Sequence, residues 1–297
     1  MPDDVHEWLV QHGVDDAGPL ETVHQRAWSS VLRVPTADGD LFLKQEEPVQ
    51  AFEVALTVAL ASRWPDRTPE VVAADPERAW LLLRDAGTNV ADSGDLDAFA
   101  QALSLYGELQ VGEAGHVDEF LAMGLRDLRL PVVADAYEAF FERDHGLEPD
   151  ETHALAALAP RYRELCEQLA TFGLPPSIQH DDLHQWNVFV RGDRVAIYDW
   201  GDSSVGFPLW SWLKPLRAAG EYGVDPAPLL GGYLAPWAAV MPERELRAAV
   251  ELAIPTGAFA YALQIRRQFD AMPHAVDNYG TYLPQNLRRL LELLEAT

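Results

Sequence analysis

The sequence has little cysteine, little lysine and little basic charge. Its 297 residues include a single cysteine, Cys166, so no disulfide can form within the chain. Lys44 and Lys214 are the only lysines, and the other basic side chains are arginines. Because 47 acidic residues face 22 basic ones, the net charge of -25 argues against nucleic acid as a partner, whereas a cationic small molecule would be attracted.

Long apolar runs are also lacking. No continuous apolar stretch approaches the roughly 18 residues that a membrane-spanning helix needs, and the residues that follow Met1 form no basic, then apolar, leader. We therefore expect a cytoplasmic protein with no membrane partner. A length of 297 residues with 48% hydrophobic content suits two lobes that share a cleft.

One short segment carries a strong chemical signal. Residues 180–187 read H-x-D-L-x-x-x-N, the spacing of a kinase catalytic loop, and Asp199-Trp200-Gly201 follows twelve residues later. In phosphoryl transfer one carboxylate orients the acceptor hydroxyl and takes its proton, while an amide and a second carboxylate hold the metal. The pattern predicts Asp182 as catalytic base and Asn187 and Asp199 as ligands of Mg²⁺.

The residues between Asn187 and Asp199 favour a β-hairpin. Two short apolar runs, 188–190 and 195–198, flank a turn that contains Gly192. Such a hairpin would return Asp199 to the neighbourhood of Asn187.

A zinc site is the alternative for the same segment. His180 and His184 also fit H-D-x-x-H, one acid shorter than the motif H-E-x-x-H of zinc hydrolases. Zinc ligation at this spacing requires a helix, which Pro175 and Pro176 upstream and the β-rich run downstream leave little room to form. His180 is better interpreted as an organiser of the loop.

The N-terminal third supplies a candidate cation for a nucleotide. Lys44 ends the apolar strand pattern 41–44, where a compact ammonium can reach nucleotide phosphates and pair with a glutamate of the next helix. Glu53, in the helical pattern that follows Pro48, is the predicted partner, and Glu46 and Glu47 are possible substitutes.

Two further stretches are expected to touch a nucleotide. Residues 25–30 have none of the glycines of a G-x-G-x-x-G loop, but the small side chains of Ser29 and Ser30 would let backbone N–H groups approach phosphates. After two more predicted strands the pattern breaks at residues 84–87, where an interlobe hinge is expected. The backbone near Leu83 and Asp85 would then meet adenine.

In this order the motifs resemble the aminoglycoside phosphotransferase and choline kinase-like family of small-molecule kinases. The resemblance implies a protein kinase-like two-lobed α+β fold, in which a small N-terminal antiparallel sheet lobe (residues 1–85) binds the nucleotide. A larger helical lobe (residues 86–297) would carry the catalytic loop and the acceptor site. The resemblance also implies ATP and Mg²⁺, with Asp182 as base, Asn187 and Asp199 as metal ligands, and Lys44 with Glu53 positioning the nucleotide.

The chain departs from this family at two places. The family usually has H-G-D where this chain has His180-Asp181-Asp182, so a second carboxylate stands beside the predicted base. Such neighbours could shift each other's pKa, or Asp181 could face away. The family also tends to carry G-D-P-x-x-D-L, whereas residues 206–212 read G-F-P-L-W-S-W and lack the acid that normally braces the catalytic loop.

The sequence thus predicts an ATP- and Mg²⁺-dependent phosphotransferase that acts on a hydroxyl of a small molecule, such as an amino sugar, aminoglycoside or amino alcohol. A catalytically silent nucleotide-binding relative is the main alternative, and a metallohydrolase that uses His180 and His184 is another. The helical pattern of the C-terminal part predicts helices over residues 96–111, 117–128, 132–143 and 152–172.

Overall fold

The computed structural model describes residues 2–16 and 18–297. The chain forms two compact units. The first comprises Met1–Asp95 and Trp186–Gly201, and the second comprises Leu96–Gln185 and Asp202–Thr297. The hairpin after Asn187 is therefore part of the first unit, although it follows the catalytic motif in sequence. The functional division of the chain at residue 85 stays a prediction.

The first unit is built on a five-stranded antiparallel sheet. Its strands are β1 (Glu21–Gln25), β2 (Ser29–Thr36), β3 (Gly39–Glu46), β4 (Val71–Asp75) and β5 (Trp80–Arg84), and its helices include α1 (Pro2–Gln11) and α2 (Phe52–Arg63). The strands lie in the order β1-β2-β3-β5-β4. Alternating apolar residues of β2 and β3 point into one core: Val34, Leu41 and Leu43 are buried there with Trp8 and Leu9 of α1.

A second, three-stranded sheet completes this unit. The short strand β6 (Thr88–Asn89), which precedes helix α3 (Val90–Ser93), pairs with β9 (Val188–Arg191), and β9 pairs with β10 (Arg194–Ile197). The predicted hairpin is confirmed, with Gly192 at φ +60° in its turn.

The second unit is mostly helical. Its longest helix, α11 (Glu243–Ala271), runs through the core, where the ring of Phe259 is tilted against that of Tyr137 and edge-on to that of Tyr162. The helices are α4 (Leu96–Glu113), α5 (Val117–Met123), α6 (Leu130–Phe140), α7 (Pro149–Ala157), α8 (Ala159–Thr171), α9 (Leu213–Tyr222), α10 (Pro226–Leu234), α11 (Glu243–Ala271), α12 (Val276–Tyr279) and α13 (Tyr282–Glu295).

A small sheet positions the catalytic segment within the second unit. Strand β11 (Ser204–Gly206) lies between β7 (Arg126–Asp127), which is parallel to it, and β8 (Ser177–Gln179), which is antiparallel. Because β8 ends at Gln179, the loop that begins at His180 starts from a fixed, buried strand.

Two of the predicted helices differ from the structure. The helix expected over residues 117–128 ends at Met123, because Gly124 adopts φ +102° and caps it. The helix expected over residues 152–172 is two helices, α7 and α8. Pro160 occupies the first turn of α8, where the missing N–H costs nothing, but it cannot continue the helix that precedes it.

Helix α11 bears on the expectation that the chain has no membrane-spanning helix. Among the described residues it is the one helix long and apolar enough to cross a membrane, with an 18-residue window of mean hydropathy 1.3. Within the protein, however, 72% of that window is buried. This is the pattern of a core helix that packs on other helices.

Candidate active site

Lys44 lies at the centre of a cluster of carboxylates in the first unit. Its Nζ is 2.6 Å from Glu53 Oε2, 2.6 Å from Asp199 Oδ1 and 2.7 Å from Glu46 Oε1. Strand β3 carries Lys44 and Glu46 on one face two residues apart, and Glu53 lies in the first turn of α2. The structure thus brings together three predicted site residues, Lys44, Glu53 and Asp199, and adds Glu46, which sequence analysis gave as a substitute for Glu53.

Burial and the charge of opposite sign close by shift the pKa values of this cluster in opposite directions. Burial lowers the pKa of Lys44, but the carboxylates of Asp199, Glu46 and Glu53 outweigh it and raise that pKa well above its ordinary value. Burial raises the pKa of Glu46 well above its ordinary value although the ammonium lies close by, and the neighbouring Glu53 raises it further. Lys44 therefore stays charged, and Glu46 takes up a proton more readily than an ordinary glutamate does.

Asp199 occupies a turn whose backbone is under strain. Its φ is +65°, in the left-handed region that non-glycine residues seldom adopt. The next backbone N–H, that of Trp200, donates to Glu53 Oε1 at 3.1 Å. A Cβ at Gly201 would lie 2.7 Å from Glu53 Oε2, so glycine is required for the close approach. Glu53 thus holds Lys44 with one oxygen and the Asp199 turn with the other.

Asn187 lies at the start of the hairpin that carries Asp199. Its carbonyl accepts a hydrogen bond of 2.9 Å from the N–H of Tyr198, directly before Asp199. The side chain of Asn187 is buried, whereas 47% of the Asp199 side chain is exposed. One backbone hydrogen bond thus ties the two predicted metal ligands together.

The other predicted nucleotide contacts lie in strands β2 and β5 of the five-stranded sheet and just after β5. Ser29 and Ser30 begin β2, so the turn before them is shorter than expected, and Ser30 Oγ donates to Gln45 Oε1 at 3.3 Å. Leu83 is buried in β5. The carbonyl of Asp85 accepts a hydrogen bond from Arg191 at 3.0 Å. Their nucleotide-binding roles stay predictions.

In the second unit, Asp182 is held at both carboxylate oxygens. Lys214 Nζ lies 2.8 Å from Oδ1, and His184 Nε2 lies 3.1 Å from Oδ2. Lys214 also donates to the hydroxyl of Tyr261 at 2.7 Å. Burial raises the pKa of Asp182, but Lys214 and His184 outweigh burial and hold it well below its usual range. The predicted base is therefore a fixed, ionised carboxylate.

The additional carboxylate, Asp181, faces other partners. Its Oδ2 accepts hydrogen bonds from Ser204 Oγ at 2.5 Å and from Gln264 Nε2 at 3.3 Å. Burial raises the pKa of Asp181 to about 6. Its φ of +60° explains why glycine is usual at this position of the family pattern.

A neutral network occupies the place of the missing bracing acid. Ser211 Oγ donates to Gln179 Oε1 at 2.7 Å and lies 2.8 Å from the hydroxyl of Tyr106. That hydroxyl accepts a hydrogen bond of 2.9 Å from the backbone N–H of His180. The loop is therefore braced by a serine, a glutamine and a tyrosine, all of them buried.

The same loop does not have the geometry of a zinc helix. Residues 180–184 form no helix, and the first helical turn, Gln185–Asn187, is a 3-10 turn. His180 Nδ1 accepts the N–H of Asp182 at 3.3 Å, and His184 points its Nε2 at the carboxylate of Asp182. The two histidines organise the loop and its carboxylate, as the sequence analysis interpreted His180.

Two functional candidates escaped the sequence analysis. Lys214 is 32 residues from Asp182, but the scarcity of lysine was a usable signal, since both lysines of the chain contact predicted site carboxylates. Tyr106 carried no signal, because its spacing to His180 matches no motif. Both contacts depend on how the helices pack.

Each unit thus contains its own cluster of charged side chains. The first presents a buried ammonium beside an exposed carboxylate, and the second presents a fixed carboxylate of the kind that orients a hydroxyl.

A model of the phosphotransferase enzyme family matches residues 22–210. The chain belongs to this family. The predictions of a small-molecule phosphotransferase with a hydroxyl acceptor and of family membership are confirmed.

Solved structures support the fold. The chain is similar to a choline/ethanolamine kinase family protein from Mesorhizobium loti, with 19% identity, a TM-score of 0.67, and 99% of this chain and 95% of the other covered. It is also similar to a macrolide 2'-phosphotransferase type I (19% identity, TM-score 0.63, 97% and 96% covered). A third is the GDP complex of aminoglycoside 2'-phosphotransferase-IIIa (17% identity, TM-score 0.64, 99% and 97% covered). The α+β protein kinase-like fold is confirmed. No curated protein sequence matches the chain.

Proposed function

We propose that this phosphotransferase transfers the γ-phosphoryl group of ATP, with Mg²⁺, to a hydroxyl of a small molecule, and that an amino sugar, an aminoglycoside or an amino alcohol is the acceptor. The observation that carries the proposal is the position of the Lys44 ammonium, 2.6 Å from both Glu53 and Asp199. A lysine held in this way on a strand is the arrangement that positions the phosphates of a nucleotide in kinases.

The residues at Asp199 fit Mg²⁺. This ion prefers oxygen ligands and is usually held by one or two carboxylates together with substrate phosphates and water. Asp199 offers an exposed carboxylate, and Asn187 offers an amide oxygen nearby in the chain fold. When bound, Mg²⁺ would neutralise charge on the β- and γ-phosphates.

The chain's own residues account for the remaining steps. Lys44, fixed by Glu53, would bind the α- and β-phosphates, and backbone N–H groups at Ser29 and Ser30 would cover them. The backbone near Leu83 and Asp85 would receive the adenine. Asp182 would orient the acceptor hydroxyl and accept its proton as the oxygen attacks the γ-phosphorus.

The acceptor class rests on charge and on the known acceptors of similar proteins. A net charge of -25 attracts cations, and the similar structures include proteins named for choline or ethanolamine and for an aminoglycoside. An amino-bearing acceptor agrees with both. The macrolide phosphotransferase broadens the panel to be tested.

The test is ADP release from Mg·ATP across amino sugars, aminoglycosides, macrolides, neutral sugars and amino alcohols, with Asp182→Asn beside the wild type. Parallel reactions with GTP would decide the nucleotide, since a similar enzyme was solved with GDP. We expect acceptor-stimulated turnover in the wild type alone, with nucleotide binding retained in the variant. Wild-type turnover in Asp182→Asn would refute the assignment of the base, and nucleotide binding without turnover on any acceptor would favour a silent relative.

A further inference from the structure

The second lysine of the chain is partly buried against the predicted base. Lys214 is the second residue of α9, and only 18% of its side chain is exposed, compared with 24% for Asp182. Its Nζ has two oxygen partners, the Asp182 carboxylate at 2.8 Å and the Tyr261 hydroxyl at 2.7 Å. The Nζ also lies 4.2 Å from the centre of the Tyr261 ring.

An ammonium with little exposure to solvent is costly unless an anion compensates it, and a pair of this kind is strongly destabilised when it loses one partner. This chain otherwise uses arginine as its basic residue. Lysine provides a compact point charge, whereas arginine presents a broad planar fork. The presence of lysine here therefore indicates a site where one small cation must fit between a carboxylate and a phenol.

The ammonium of Lys214 contacts the carboxylate of Asp182 directly, whereas it acts on Asp181 only through its charge. Asp181 is engaged by Ser204 and Gln264, which are neutral. On the other side of Asp182, His184 Nε2 lies 3.1 Å from Oδ2, so Lys214 and His184 contact different oxygens of the carboxylate.

We propose that Lys214 is a positioning residue for catalysis, which holds Asp182 in its ionised form and in one orientation while the acceptor hydroxyl reacts. The inference rests on the phosphotransferase function proposed above and adds a residue to it.

The reaction places a clear demand on such a pair. The acceptor oxygen forms a bond to the γ-phosphorus, the bond from that phosphorus to the β,γ-bridging oxygen breaks, and ADP leaves with the electron pair. The hydroxyl proton passes to Asp182, and Lys214 remains protonated throughout. Because the transition state is loose, orientation and charge matter more than strong basicity. A weakly basic but fixed carboxylate meets that demand.

The titratable groups around Asp182 determine how its pKa would change if Lys214 were removed. The titratable groups around Asp182 are His184 and Asp181 from its own loop, Lys214 from α9 and Tyr261 from α11, with Asp202 near Tyr261. Burial alone raises the pKa of Asp182, and Lys214 is the strongest influence that lowers it. Without the ammonium, Asp182 would take up a proton at higher pH, and the free base would be lost on the acid side.

The kinetic test compares Lys214→Met with Lys214→Arg and with the control Arg217→Met. Arg217 is exposed on the same helix and pairs with Glu221 at i+4, so its removal deletes a cation without touching Asp182. We expect Lys214→Met to lower kcat about 10²-fold, with little change in the KM for ATP. A new acid limb should appear in its pH profile. Lys214→Arg should restore most of the activity and remove that limb, and Arg217→Met should behave as wild type.

A second readout does not depend on activity. With only two lysines, ¹⁵N-lysine labelling gives two side-chain signals, and Lys214→Arg assigns them. We expect the Lys214 ammonium to resist titration beyond the ordinary lysine pKa of about 10.4, and its signal to shift in Asp182→Asn and in Tyr261→Phe. Tyr261→Phe, which keeps the ring, also serves if Lys214→Met does not fold.

The outcomes separate the two proposals. If Lys214→Met turns over at the rate of the wild type and with the same pH profile, the role of Lys214 is overturned and the proposed function is left intact. A Lys214 signal that titrates like that of a surface lysine and ignores Asp182→Asn would overturn it as well. Absence of turnover by the wild type on every acceptor, with the paired Lys214 signal present, would count against the proposed function.

Discussion

The two lysines of the chain differ in how many negatively charged groups surround them. Lys44, in the first unit, meets three carboxylate groups within 2.7 Å, whereas Lys214, in the second, meets one carboxylate and one phenol. The first cluster holds more negative than positive charge and leaves 47% of Asp199 exposed. The second is balanced and closed, with 24% of Asp182 exposed.

This difference matches the two tasks of a phosphotransferase. A cluster with surplus negative charge and an open carboxylate is suited to take up a further cation together with phosphates. A balanced pair is suited to hold one carboxylate still while a neutral hydroxyl reacts beside it. Substitutions that unbalance each cluster test this comparison.

The largest effect is expected from Lys44→Met. It removes the cation that would bind the phosphates and leaves Glu46 and Glu53 buried without it. We expect kcat/KM for ATP to fall about 10³-fold and the free energy of unfolding to fall by about 3–5 kcal/mol. Steady-state kinetics and chemical denaturation would measure the two effects.

Arg33→Met is the matched control for Lys44→Met. Arg33 lies on the adjacent strand β2 and pairs with Glu21 and Asp40 at the surface. Its loss should change stability by less than about 1 kcal/mol. An equal loss of activity in both variants would show that the Lys44 cluster has no special role.

The next largest effect concerns the metal. Asp199→Asn keeps a side chain that tolerates positive φ but removes the charged oxygen, so we expect Mg²⁺ to be required at a concentration about 10-fold or more higher. Asn187→Ala should weaken Mg·ATP binding in the same direction. Titration of nucleotide binding against Mg²⁺ measures both, with the exposed hairpin variant Asp193→Asn as control. An unchanged Mg²⁺ requirement in both variants would show that the metal ligands are misassigned.

A smaller and more selective effect distinguishes the two buried glutamates beside Lys44. Glu53 accepts from both the Lys44 ammonium and the Trp200 N–H, so Glu53→Gln would set an amide N–H₂ against one of these donors. We expect kcat/KM to fall about 10- to 100-fold. Burial already raises the pKa of Glu46 well above its ordinary value, so Glu46→Gln resembles its protonated form and should stay within about 3-fold of wild type. If Glu46→Gln lowered kcat/KM more than Glu53→Gln, Glu46 would be the glutamate that positions Lys44.

Sequence alone predicted the parts of the site that depend on local spacing. The loop from His180 to Asn187, the hairpin, and Lys44 at its strand position all follow from short-range patterns, because turns and strand alternation are set by neighbouring residues. The family's usual glycine at position 181 even agrees with the positive φ observed there.

The parts that failed depend on contacts distant in sequence. The pairing of Lys214 with Asp182 joins a loop to a helix 32 residues away, and the bracing of His180 by Tyr106 spans 74 residues. The apolar pattern that predicted one helix over residues 152–172 could not show that the chain turns before Pro160. Such features are decided by packing, which local propensity does not encode.

The smallest effect expected is one of stability, at Asp181. Its folded-state pKa of about 6 lies above the unfolded value of about 3.9, so the folded protein binds more protons between these pH values. Rising pH through this window should therefore lower the free energy of unfolding, by at most about 3 kcal/mol. Asp181→Asn keeps an oxygen that can accept from Ser204 and Gln264 and removes the titration.

We therefore expect Asp181→Asn to be more stable than wild type above pH 7, by about 2 kcal/mol, and nearly equal to it at about pH 3.5, below the unfolded pKa. Denaturation curves at a series of pH values would measure the difference, with Asp193→Asn in the exposed hairpin turn as the charge-matched control. Parallel pH dependence in wild type and Asp181→Asn would mean that folding leaves the pKa of Asp181 unchanged. The Asp181 carboxylate would then be ionised beside the pair of Lys214 and Asp182 even in mild acid, where the raised pKa predicts a neutral group.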